Sequence, residues 1–388
     1  MRILFVADGR SPIALDWIEY FVEKDHQVHL VSTYPCASEL HLASLHVLLL
    51  PLSGFGEAGR EQSRSVLRRL VPVGARTMLR QWLVPLSLPR VAQRLQELIE
   101  QIQPDLIHAM RIPFEGMLAA MAETARPLLV SVWGNDFTLH APATSLMRRR
   151  THQVLRRAAA IHTDCWRDLR LAHAWGYPEE RPSLVLPGNG GVQLDVFRQT
   201  KAVAPGQETL TVINPRGFRA YVRNDTFFKA IPLVLKRFPL ARFLCPSMAG
   251  EIQAERWVNE SGIQGAVKLL PRQSRTQMAA LFQETQVAVS VTTHDGTPNT
   301  LLEAMACGCF PVAGDLETLR EWITPGVNGL LVEADNPAGL AEAIILAAEH
   351  PQLRSDAAHI NHSLVEQRAN YPLGMAKAER FYKQLLKE

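Results

Sequence analysis

Short apolar runs alternate with stretches in which apolar residues recur every three or four positions, almost from one end of the chain to the other. Residues 2–8 (RILFVAD) form the first run, Trp17, Ile18 and Phe21 follow at helical spacing, and residues 27–32 (QVHLVS) form the next run. A strand, a helix and a second strand in this order build a right-handed unit with two parallel strands. The pattern therefore predicts an α/β protein with parallel sheets covered by helices on both faces.

Further apolar runs predict two separate sets of strands. The first half of the chain adds candidates at 46–51, 105–110, 127–133, 159–164 and 183–187. The second half has candidates at 209–215, 241–247, 266–271, 286–292, 309–315 and 328–333. Each set is large enough for one doubly wound, Rossmann-like domain, so the chain is predicted to contain two.

A change in composition separates the two sets. Residues 187–197 are rich in glycine, and residues 199–209 are polar without periodicity, as a linker is. We therefore expect a first domain of 1–198 and a second of 199–371, with the terminal helix 372–388 packed back on the first. Two such domains facing each other would bring the carboxyl ends of both sheets to a shared cleft, where open α/β sheets bind ligands.

The composition excludes several classes of protein. With 47% hydrophobic and 20% charged residues and no low-complexity tract, the chain is neither disordered nor fibrous. Five cysteines without a C-x-x-C pair are typical of reduced thiols and provide no zinc site. The apolar run before Asp8 is too short for a signal peptide, and the longest run, near residue 50, is far below the roughly 18 to 20 residues that span a bilayer. We expect a cytoplasmic protein.

The net charge of +3 is ordinary, but arginines are concentrated in residues 62–96. This stretch has seven arginines, no acidic residue and no lysine, and it interleaves the arginines with valine, leucine and Trp82. Such a mixture suits the surface of an anionic membrane, where each positive charge contributes about 1 kcal/mol. A solvated helical face and a groove for an anionic substrate are the alternatives. Pro72, Pro85 and Pro89 are predicted to divide the stretch into short pieces.

Residues 294–308 (HDGTPNTLLEAMACG) combine a turn with two carboxylates, Asp295 and Glu303. The preceding run predicts a strand, and Pro298 is typical of the first turn of a helix, which Gly308 would stop. The N–H groups at a helix start, together with the helix dipole, bind anions. The predicted anion-binding positions are Gly296, Thr297, Pro298, Asn299 and Thr300.

Two carboxylates around an anion-binding turn suit a ligand with hydroxyl groups at both ends and phosphates in the middle. Ionised carboxylates accept hydrogen bonds well from vicinal hydroxyls. A sugar nucleotide has this chemistry: Asp295 would hold the sugar, the turn would face the diphosphate and Glu303 would hold the ribose. The alternative is a capped helix with two solvated acids.

The segment DGTPNTLLEAMACGCFPVAGD, followed by LREWITPGVNGLLVEADNPAGLAEAI, resembles the donor-binding signature of the retaining glycosyltransferase family four, the glycogen-synthase-like group 1 enzymes. The resemblance covers residues 205–350 well and the first half of the chain loosely. It implies a GT-B fold, with an acceptor-side first domain and a donor-binding second domain, and transfer with retention. Asp295 stands where the family has a glutamate, which shortens the side chain by one C–C bond, roughly 1.5 Å.

Transfer from a sugar nucleotide expels a nucleoside diphosphate, whose growing charge needs a cation. The sequence shows no convincing spacing of metal ligands, so arginines are expected in this role and neither a metal nor a cofactor is predicted. Arg216, Arg219 and Arg223 follow the first strand of the second domain. The family has an arginine and then a lysine here. Arg216 matches the arginine, and Arg223, with Arg219 as the next choice, replaces the lysine; surface arginines at a helix start are the alternative.

The first domain is expected to hold the acceptor and the remaining catalytic groups. Relatives often carry a histidine after the strand at 127–133, but here Trp133 occupies that position. Asp136 is then the nearest polar candidate for positioning the acceptor, with a helix cap as the alternative. His108 ends another strand and is either an acceptor-side residue or a core histidine. The first strand-to-helix loop is expected to border the acceptor through Gly9, Arg10 and Ser11.

The sequence as a whole predicts a metal-independent retaining glycosyltransferase with Asp295, Arg216 and Asp136 as catalytic groups. Its donor would be a UDP, GDP or ADP sugar, and its acceptor a glycan or a lipid-linked molecule of cell-envelope polysaccharide or glycolipid synthesis. A GT-B sugar-nucleotide epimerase and a non-catalytic sugar-nucleotide-binding protein are the alternatives. A nicotinamide dehydrogenase is disfavoured, because one glycine rather than G-x-G-x-x-G follows the first strand. No nucleic-acid partner is expected.

Overall fold

The computed structural model describes residues 1–51, 73–199, 209–219 and 221–387, without the side chains of 73–77. Contacts divide the chain into two compact units, residues 1–190 with 373–388 and residues 191–372. The division falls within the glycine-rich segment, eight residues before the expected boundary at residue 198. The linker predicted at 199–209 lies almost wholly outside the described residues.

One parallel sheet of seven strands forms the centre of the first unit as far as it is described. The strands are β1 (Arg2–Ala7), β2 (Gln27–Ser32), β3 (Ser44–Val47), β4 (Leu106–Ala109), β5 (Leu128–Val132), β6 (Ala160–Thr163) and β7 (Ser183–Val185). Their spatial order is β3-β2-β1-β4-β5-β6-β7. Each lies within or next to a predicted run. Strand β3 begins and ends earlier than predicted, because pairing with His29–Ser32 sets the position of this edge strand.

Helices cover this sheet and connect its strands. They are α1 (Pro12–Glu23), α2 (Val73–Ile102), α3 (Met117–Met121), α4 (Ser145–Arg157) and α5 (Trp166–Ala174). A kinked segment, Ile112–Gly116, in which Pro113 and Phe114 have non-helical backbone angles, follows β4, and a wide helical turn, Asp136–His140, follows β5. Parallel strands covered on both faces are apolar throughout, which is why β1, β4 and β5 read as almost unbroken apolar runs.

Helix α2 continues through Pro85 and Pro89. The prediction that prolines divide this stretch is therefore wrong for the described residues; residues 62–72 lie outside them. A proline removes one helical hydrogen bond and crowds the preceding turn. A buried stripe that belongs to the core of the first unit compensates for this cost: Val84, Leu88, Ala92, Leu95 and Ile99. Neither α2 nor any other helix within the described ranges is long and apolar enough to cross a membrane.

A second parallel sheet, with six strands in the described ranges, forms the centre of the second unit. The strands are β8 (Thr211–Ile213), β9 (Arg242–Cys245), β10 (Val267–Leu269), β11 (Val287–Ser290), β12 (Phe310–Gly314) and β13 (Leu330–Val332). Their order is β10-β9-β8-β11-β12-β13. The helices are α6 (Asn224–Arg237), α7 (Ile252–Glu260), α8 (Arg275–Gln283), α9 (Asn299–Ala306), α10 (Glu317–Arg320), α11 (Pro337–Glu349) and α12 (Pro351–Ala369). Every strand lies within a predicted run.

The last helix, α13 (Tyr371–Leu385), carries the chain back to the first unit. Its Tyr382 is fully buried there and stacks on the ring of Phe21 with centroids 4.5 Å apart. Trp17 Nε1 donates a hydrogen bond of 2.9 Å to the Tyr382 hydroxyl. The aromatic core of the first unit is thus completed by a residue from the end of the chain.

Each sheet has one switch point, where the strand order reverses. It lies between β1 and β4 in the first unit and between β8 and β11 in the second. The chain leaves the two strands at a switch point in opposite directions, which opens a crevice at their carboxyl ends, and open α/β sheets bind ligands there. The loops after these four strands are therefore the candidate ligand-binding regions of the two sheets.

Candidate functional site

In the second unit, the loop after β8 begins with a turn that polar side chains hold in place. Asn214 Oδ1 accepts from the backbone N–H of Arg216 at 3.2 Å, and Asn214 Nδ2 donates to Asn224 Oδ1 at 3.0 Å. Asn224 Nδ2 in turn donates to the carbonyl of Gly217 at 2.9 Å. Gly217 has φ of +61°, a conformation that glycine adopts without strain. This turn fixes the backbone from which Arg216 extends.

Arg216 and Asp295 form an ion pair across the switch point. Arg216 Nη2 lies 2.5 Å from Asp295 Oδ2, and Nη1 donates to Thr300 Oγ1 at 3.4 Å. The second oxygen of Asp295 accepts from the backbone N–H of Gly296 at 3.2 Å. The two side chains are only 7% and 12% exposed. The structure therefore brings together two residues that the sequence nominated separately, one for the diphosphate and one for the sugar.

The turn between β11 and α9 is supported from the segment that contains α10. Thr318 Oγ1 donates to the carbonyl of Asp295 at 3.1 Å, and Trp322 Nε1 donates to Thr297 Oγ1 at 3.2 Å. Helix α9 starts directly after Pro298 and ends before Gly308, which has φ of +89°. The predicted strand, turn and helix are all present, and the start of the helix lies beside the ion pair.

Four polar atoms at this edge of the sheet are buried and have no hydrogen-bond partner among the described residues. They are Arg216 Nε, Ser290 Oγ, Thr292 Oγ1 and Asn299 Oδ1. A buried polar atom without a partner costs about 1 to 3 kcal/mol. A polar ligand that reached these atoms would remove that cost, so the edge is suited to binding one.

The other residues predicted to bind the donor follow the same two strands but form different contacts. Arg223 precedes α6, and its Nε and Nη2 both lie 2.9 Å from the carboxylate of Asp225. This pairing lowers the pKa of Asp225. Arg219 is exposed, and its Nη1 donates to the hydroxyl of Tyr221 at 3.1 Å. Glu303 is half-buried on the second turn of α9.

In the first unit, the loop after β1 is compact and held by its own side chains. Ser32 Oγ accepts from the backbone N–H of Gly9 at 3.0 Å. Arg10 forms two hydrogen bonds of 3.0 Å with Asp8, and its guanidinium lies 3.7 Å from the centre of the Tyr34 ring. Ser11 caps α1. These residues lie at the switch point of the first sheet, and their expected contact with the acceptor stays a prediction.

Asp136 has no exposed surface. Its Oδ1 accepts from Arg111 Nη2 at 3.0 Å, and its Oδ2 accepts from the backbone N–H groups of Ile112 at 3.0 Å and Trp133 at 3.2 Å. Burial raises the pKa of this carboxyl, and the nearby Arg111 opposes that shift. Asp136 joins the loops after β4 and β5, a geometry that favours a structural role over contact with an acceptor.

His108 is also fully buried, with both ring nitrogens engaged. Nε2 lies 2.8 Å from Ser131 Oγ, and Nδ1 lies 2.5 Å from the Tyr382 hydroxyl. Burial holds the pKa of His108 well below its usual value. Of the two interpretations that the sequence left open, this geometry corresponds to the core histidine.

Trp133 differs from both of these residues. Its indole nitrogen is buried and has no hydrogen-bond partner among the described residues. Arg111 lies over its ring, 5.3 Å from the centroid. Trp133 therefore presents an unsatisfied donor at the strand end where relatives often have a histidine.

Within the described ranges, one group of side chains has the ligand types and spacing to hold a metal ion. The ligand atoms of Asp164, Cys165 and Asp168 lie within 4.8 Å of one another. Arg167 Nη2 lies 2.7 Å from Asp168 Oδ1, so a positive charge already balances this carboxylate. Burial also raises the pKa of the Cys165 thiol, which disfavours the thiolate that metals bind. The group lies outside the positions that the sequence nominated.

Sequence reasoning did not identify Asn214, Arg111, Thr318 or Trp322, which support the two edges. Asn214 and Arg111 each follow a buried strand closely, and a polar residue at that position is a usable signal. Thr318 and Trp322 lie in the segment after the motif, and their contacts with the turn depend on how that segment folds back. No local pattern marks them.

Models of two families match most of the chain. A Glycosyl transferase 4-like domain matches residues 9–188, and the model for Glycosyl transferases group 1 matches residues 217–350. The chain is 24% identical over 257 residues to a GDP-mannose:cellobiosyl-diphosphopolyprenol alpha-mannosyltransferase of Xanthomonas oryzae, covering 63% of this chain and 65% of that protein. It is 32% identical over 185 residues to a D-inositol 3-phosphate glycosyltransferase of Mycolicibacterium paratuberculosis, covering 44% and 42%. The chain thus spans just under two thirds of the first relative and less than half of the second.

Solved structures show the same fold over the whole chain. Sucrose-phosphate synthase from Thermosynechococcus elongatus superposes with a TM-score of 0.77 at 14% identity, covering 100% of both chains. HepE of Anabaena, solved in complex with UDP, superposes with a TM-score of 0.73 at 15% identity, covering 99% and 100%. The chain belongs to the group 1 glycosyl transferases of family four and has their two-domain GT-B fold.

Proposed function

We propose that this chain is a retaining glycosyltransferase that moves a sugar from a nucleoside-diphosphate sugar to an acceptor hydroxyl, with arginine rather than a metal ion facing the diphosphate. The Arg216–Asp295 pair carries the proposal, since it lies at the switch point of the second sheet beside the turn that starts α9. A cation, a carboxylate and a helix start in one place are the groups that a sugar diphosphate needs.

Arg216 would meet the negative charge that grows on the departing diphosphate. Asp295 and Thr300 hold its guanidinium in one orientation, so little reorganisation is needed when that charge develops. Nε, which has no partner among the described residues, would supply a further donor. Asp295 would then act in two ways, by orienting Arg216 and by accepting from a sugar hydroxyl.

A second cation would complete the diphosphate site. The fork of Arg223 is bound to Asp225, and the exposed Arg219 donates from Nη1 to the Tyr221 hydroxyl on the same loop. We keep both arginines as candidates for this role, Arg223 first and Arg219 next. The turn at 296–300 would bind the phosphates through backbone N–H groups, and Glu303 would accept hydrogen bonds from the ribose.

The acceptor would bind at the carboxyl edge of the first sheet, near Gly9, Arg10, Ser11 and Trp133. The mannosyltransferase relative acts, by its name, on a diphosphopolyprenol, and the other relative acts on an inositol phosphate. These names support a phosphorylated acceptor, in a lipid-linked form in the first case. Membrane glycolipid or envelope polysaccharide synthesis in the cytoplasm is the proposed setting.

A thermal-shift screen tests the donor half of the proposal without any knowledge of the acceptor. A ligand at a hundred times its Kd adds about 2.7 kcal/mol of stability. We expect one of UDP, GDP and ADP to raise the melting temperature of the wild-type chain and to have a much smaller effect on Arg216→Ala. An equal shift in both proteins would move the nucleotide site away from Arg216.

Product analysis separates the proposal from its alternatives. A transferase converts donor and acceptor into a glycoside, whose anomeric configuration NMR reports as retained or inverted. An epimerase would interconvert sugar nucleotides without an acceptor, and a binding protein would bind the donor without turnover across a broad acceptor panel. Either result would replace the transferase proposal.

A further inference from the structure

The outward face of the first half of α2 is apolar. Five large side chains on this face are between 40% and 69% exposed: Met78, Leu79, Trp82, Leu83 and Leu86. Their spacing sets them on one side of the helix. Single exposed apolar residues are ordinary, but a contiguous group marks an interaction surface. We refer to these five residues as the α2 patch.

Basic residues border the α2 patch. Arg90 and Arg94 are exposed further along the same helix, and the sequence has no acidic residue from Gln62 to Gln96. Beyond that point the helix exposes Glu97 and Glu100. The apolar and basic character is therefore confined to the first two thirds of the helix.

Arg80 is not part of this surface. Its guanidinium lies 5.0 Å from the centre of the Tyr34 ring and 4.8 Å from that of Phe114, both on the sheet side of the helix. An arginine-rich stretch with a purely solvated face would direct its charges outward and its leucines inward. In the first half of α2, Arg80 points inward while Trp82, Leu83 and Leu86 point outward, which departs from that arrangement. In the second half, Arg90 and Arg94 are exposed and Leu88 and Leu95 are buried.

We propose that the α2 patch binds the surface of an anionic lipid bilayer, with Trp82 and the leucines in the boundary between headgroups and acyl chains and with Arg90 and Arg94 against lipid phosphates. Helices with an aromatic and aliphatic face bordered by arginines bind at this depth, and arginine side chains extend towards the headgroups. A stable protein interface uses about 20 or more residues on each side, far more than five. A bilayer needs no such complementary surface.

This inference goes beyond the proposed transfer reaction and does not depend on it. The patch belongs to the first unit, whereas the residues that carry the transferase proposal belong to the second. Vesicle binding and sugar transfer are separate measurements, so either can fail alone.

Co-sedimentation with vesicles tests the proposal. We expect the wild-type chain to bind vesicles of phosphatidylcholine mixed with phosphatidylglycerol, to bind phosphatidylcholine alone far less, and to be released by salt. The triple variant Trp82→Ser, Leu83→Ser, Leu86→Ser should bind at least about tenfold more weakly. Arg90→Gln and Arg94→Gln should each weaken binding about fivefold, since each charge near the surface contributes about 1 kcal/mol.

The matched control is a variant with equally exposed apolar residues removed elsewhere. Trp166 is 61% exposed and Leu240 is 80% exposed, and neither belongs to the patch. Trp166→Ser with Leu240→Ser should bind vesicles as the wild type does, and circular dichroism should show that all variants are folded.

Three outcomes would overturn the proposal. The first is that the wild-type chain fails to bind the mixed vesicles. The second is that the triple variant binds them as well as the wild type or no worse than the control. The third is a wild-type dimer in sedimentation velocity that the triple variant abolishes, without vesicle binding; the patch would then join two copies of this chain.

Discussion

The two switch points of this protein satisfy their charged groups in different ways. In the second unit, Arg216 and Asp295 pair at a partly accessible edge where buried polar atoms lack partners. In the first unit, Asp136 and His108 are fully buried, and protein groups bind both carboxylate oxygens and both ring nitrogens. Both edges have buried polar atoms without a partner among the described residues, Trp133 Nε1 among them in the first unit. The contrast therefore lies in the charged groups: the pair in the second unit is partly exposed, while Asp136 and His108 join loops and helices.

The comparison shows that a polar residue at a strand end has two opposite uses. The position alone does not separate them, because Asp136 and Asp295 both follow parallel strands closely. Exposure separates them: both carboxylates pair with an arginine and accept from backbone N–H groups, but Asp136 has no exposed surface, whereas Asp295 is 12% exposed and a ligand could reach its pair.

The largest effect is expected for Asp136→Ala. Removing this carboxylate leaves Arg111 and two backbone N–H groups without their acceptor. Removing one partner of a buried ion pair lowers the free energy of unfolding by about 3 to 5 kcal/mol. Urea unfolding measures the change in the free energy of unfolding, and amide hydrogen exchange in β5 shows where the structure loosens. Asp225→Ala removes a pair that is about one third exposed and should cost less than about 1 kcal/mol. A stable Asp136→Ala variant without transfer activity would make Asp136 catalytic after all.

Arg216→Ala should mainly reduce kcat. Its charge is needed most when the diphosphate departs, and losing one such donor costs about 2.7 to 4 kcal/mol, or roughly a hundred- to a thousandfold. Arg237→Ala, which removes an exposed arginine from α6, serves as the control. Steady-state kinetics with varied donor measures the effect, and a change confined to KM would contradict this role.

Acid should remove stability from the first unit through His162, while the raised pKa of the buried Asp136 carboxyl acts in the opposite direction. Burial lowers the pKa of His162 from 6.5 to about 4, and its ring nitrogens lie 2.9 Å from Ser131 Oγ and 3.0 Å from the carbonyl of Leu186. As pH falls, His162 binds a proton in the unfolded chain before it does so in the folded chain. The stabilisation is therefore complete above pH 6.5 and is lost as pH falls towards 4. Through His162 alone, the free energy of unfolding falls by about 3 kcal/mol over this pH range.

Amide exchange in β6 and β12 at pH 7 and at pH 4.5 measures this loss in each unit separately. We expect protection of β6 to fall more than protection of β12. Equal losses in both strands would show that the buried histidine network does not distinguish the two units.

Glu303→Gln should lower kcat/KM about ten- to hundredfold, or about 1.5 to 3 kcal/mol, because it weakens a charge-assisted hydrogen bond to the ribose. Glu342→Gln changes an exposed glutamate on α11 and should leave the kinetics unchanged. A folded Glu303→Gln variant with wild-type kinetics would remove Glu303 from the site.

Trp133→Phe should have the smallest effect. It tests the indole nitrogen of Trp133, which lies at the edge of the first sheet and lacks a partner among the described residues. The variant keeps an aromatic ring and removes an indole N–H that has no partner among the described residues. Loss of one hydrogen bond to a ligand should lower kcat/KM about five- to tenfold, or about 1 to 1.5 kcal/mol, without loss of stability. Unchanged kinetics would mean that the first edge offers no donor at this position.

Local patterns were sufficient for much of the architecture. All thirteen strands of the described ranges lie within or beside an apolar run, because a buried parallel strand must be apolar on both faces. The turn at 295–298 and helix α9 followed from a strand, a proline and a glycine within residues 286–308. Helix α2 was the exception, since its prolines are a local signal that long-range packing overrides.

The sequence by itself determined the alternation of strands and helices and the nomination of Arg216 and Asp295, because these depend on neighbouring residues and on a local motif. Only the tertiary structure decided that these two side chains pair, that His108 is closed off by Tyr382 from the other end of the chain, and that Asp136 is enclosed by the loop at Ile112. The physical reason is that burial and hydrogen-bond satisfaction depend on residues far away in sequence, which local patterns do not contain.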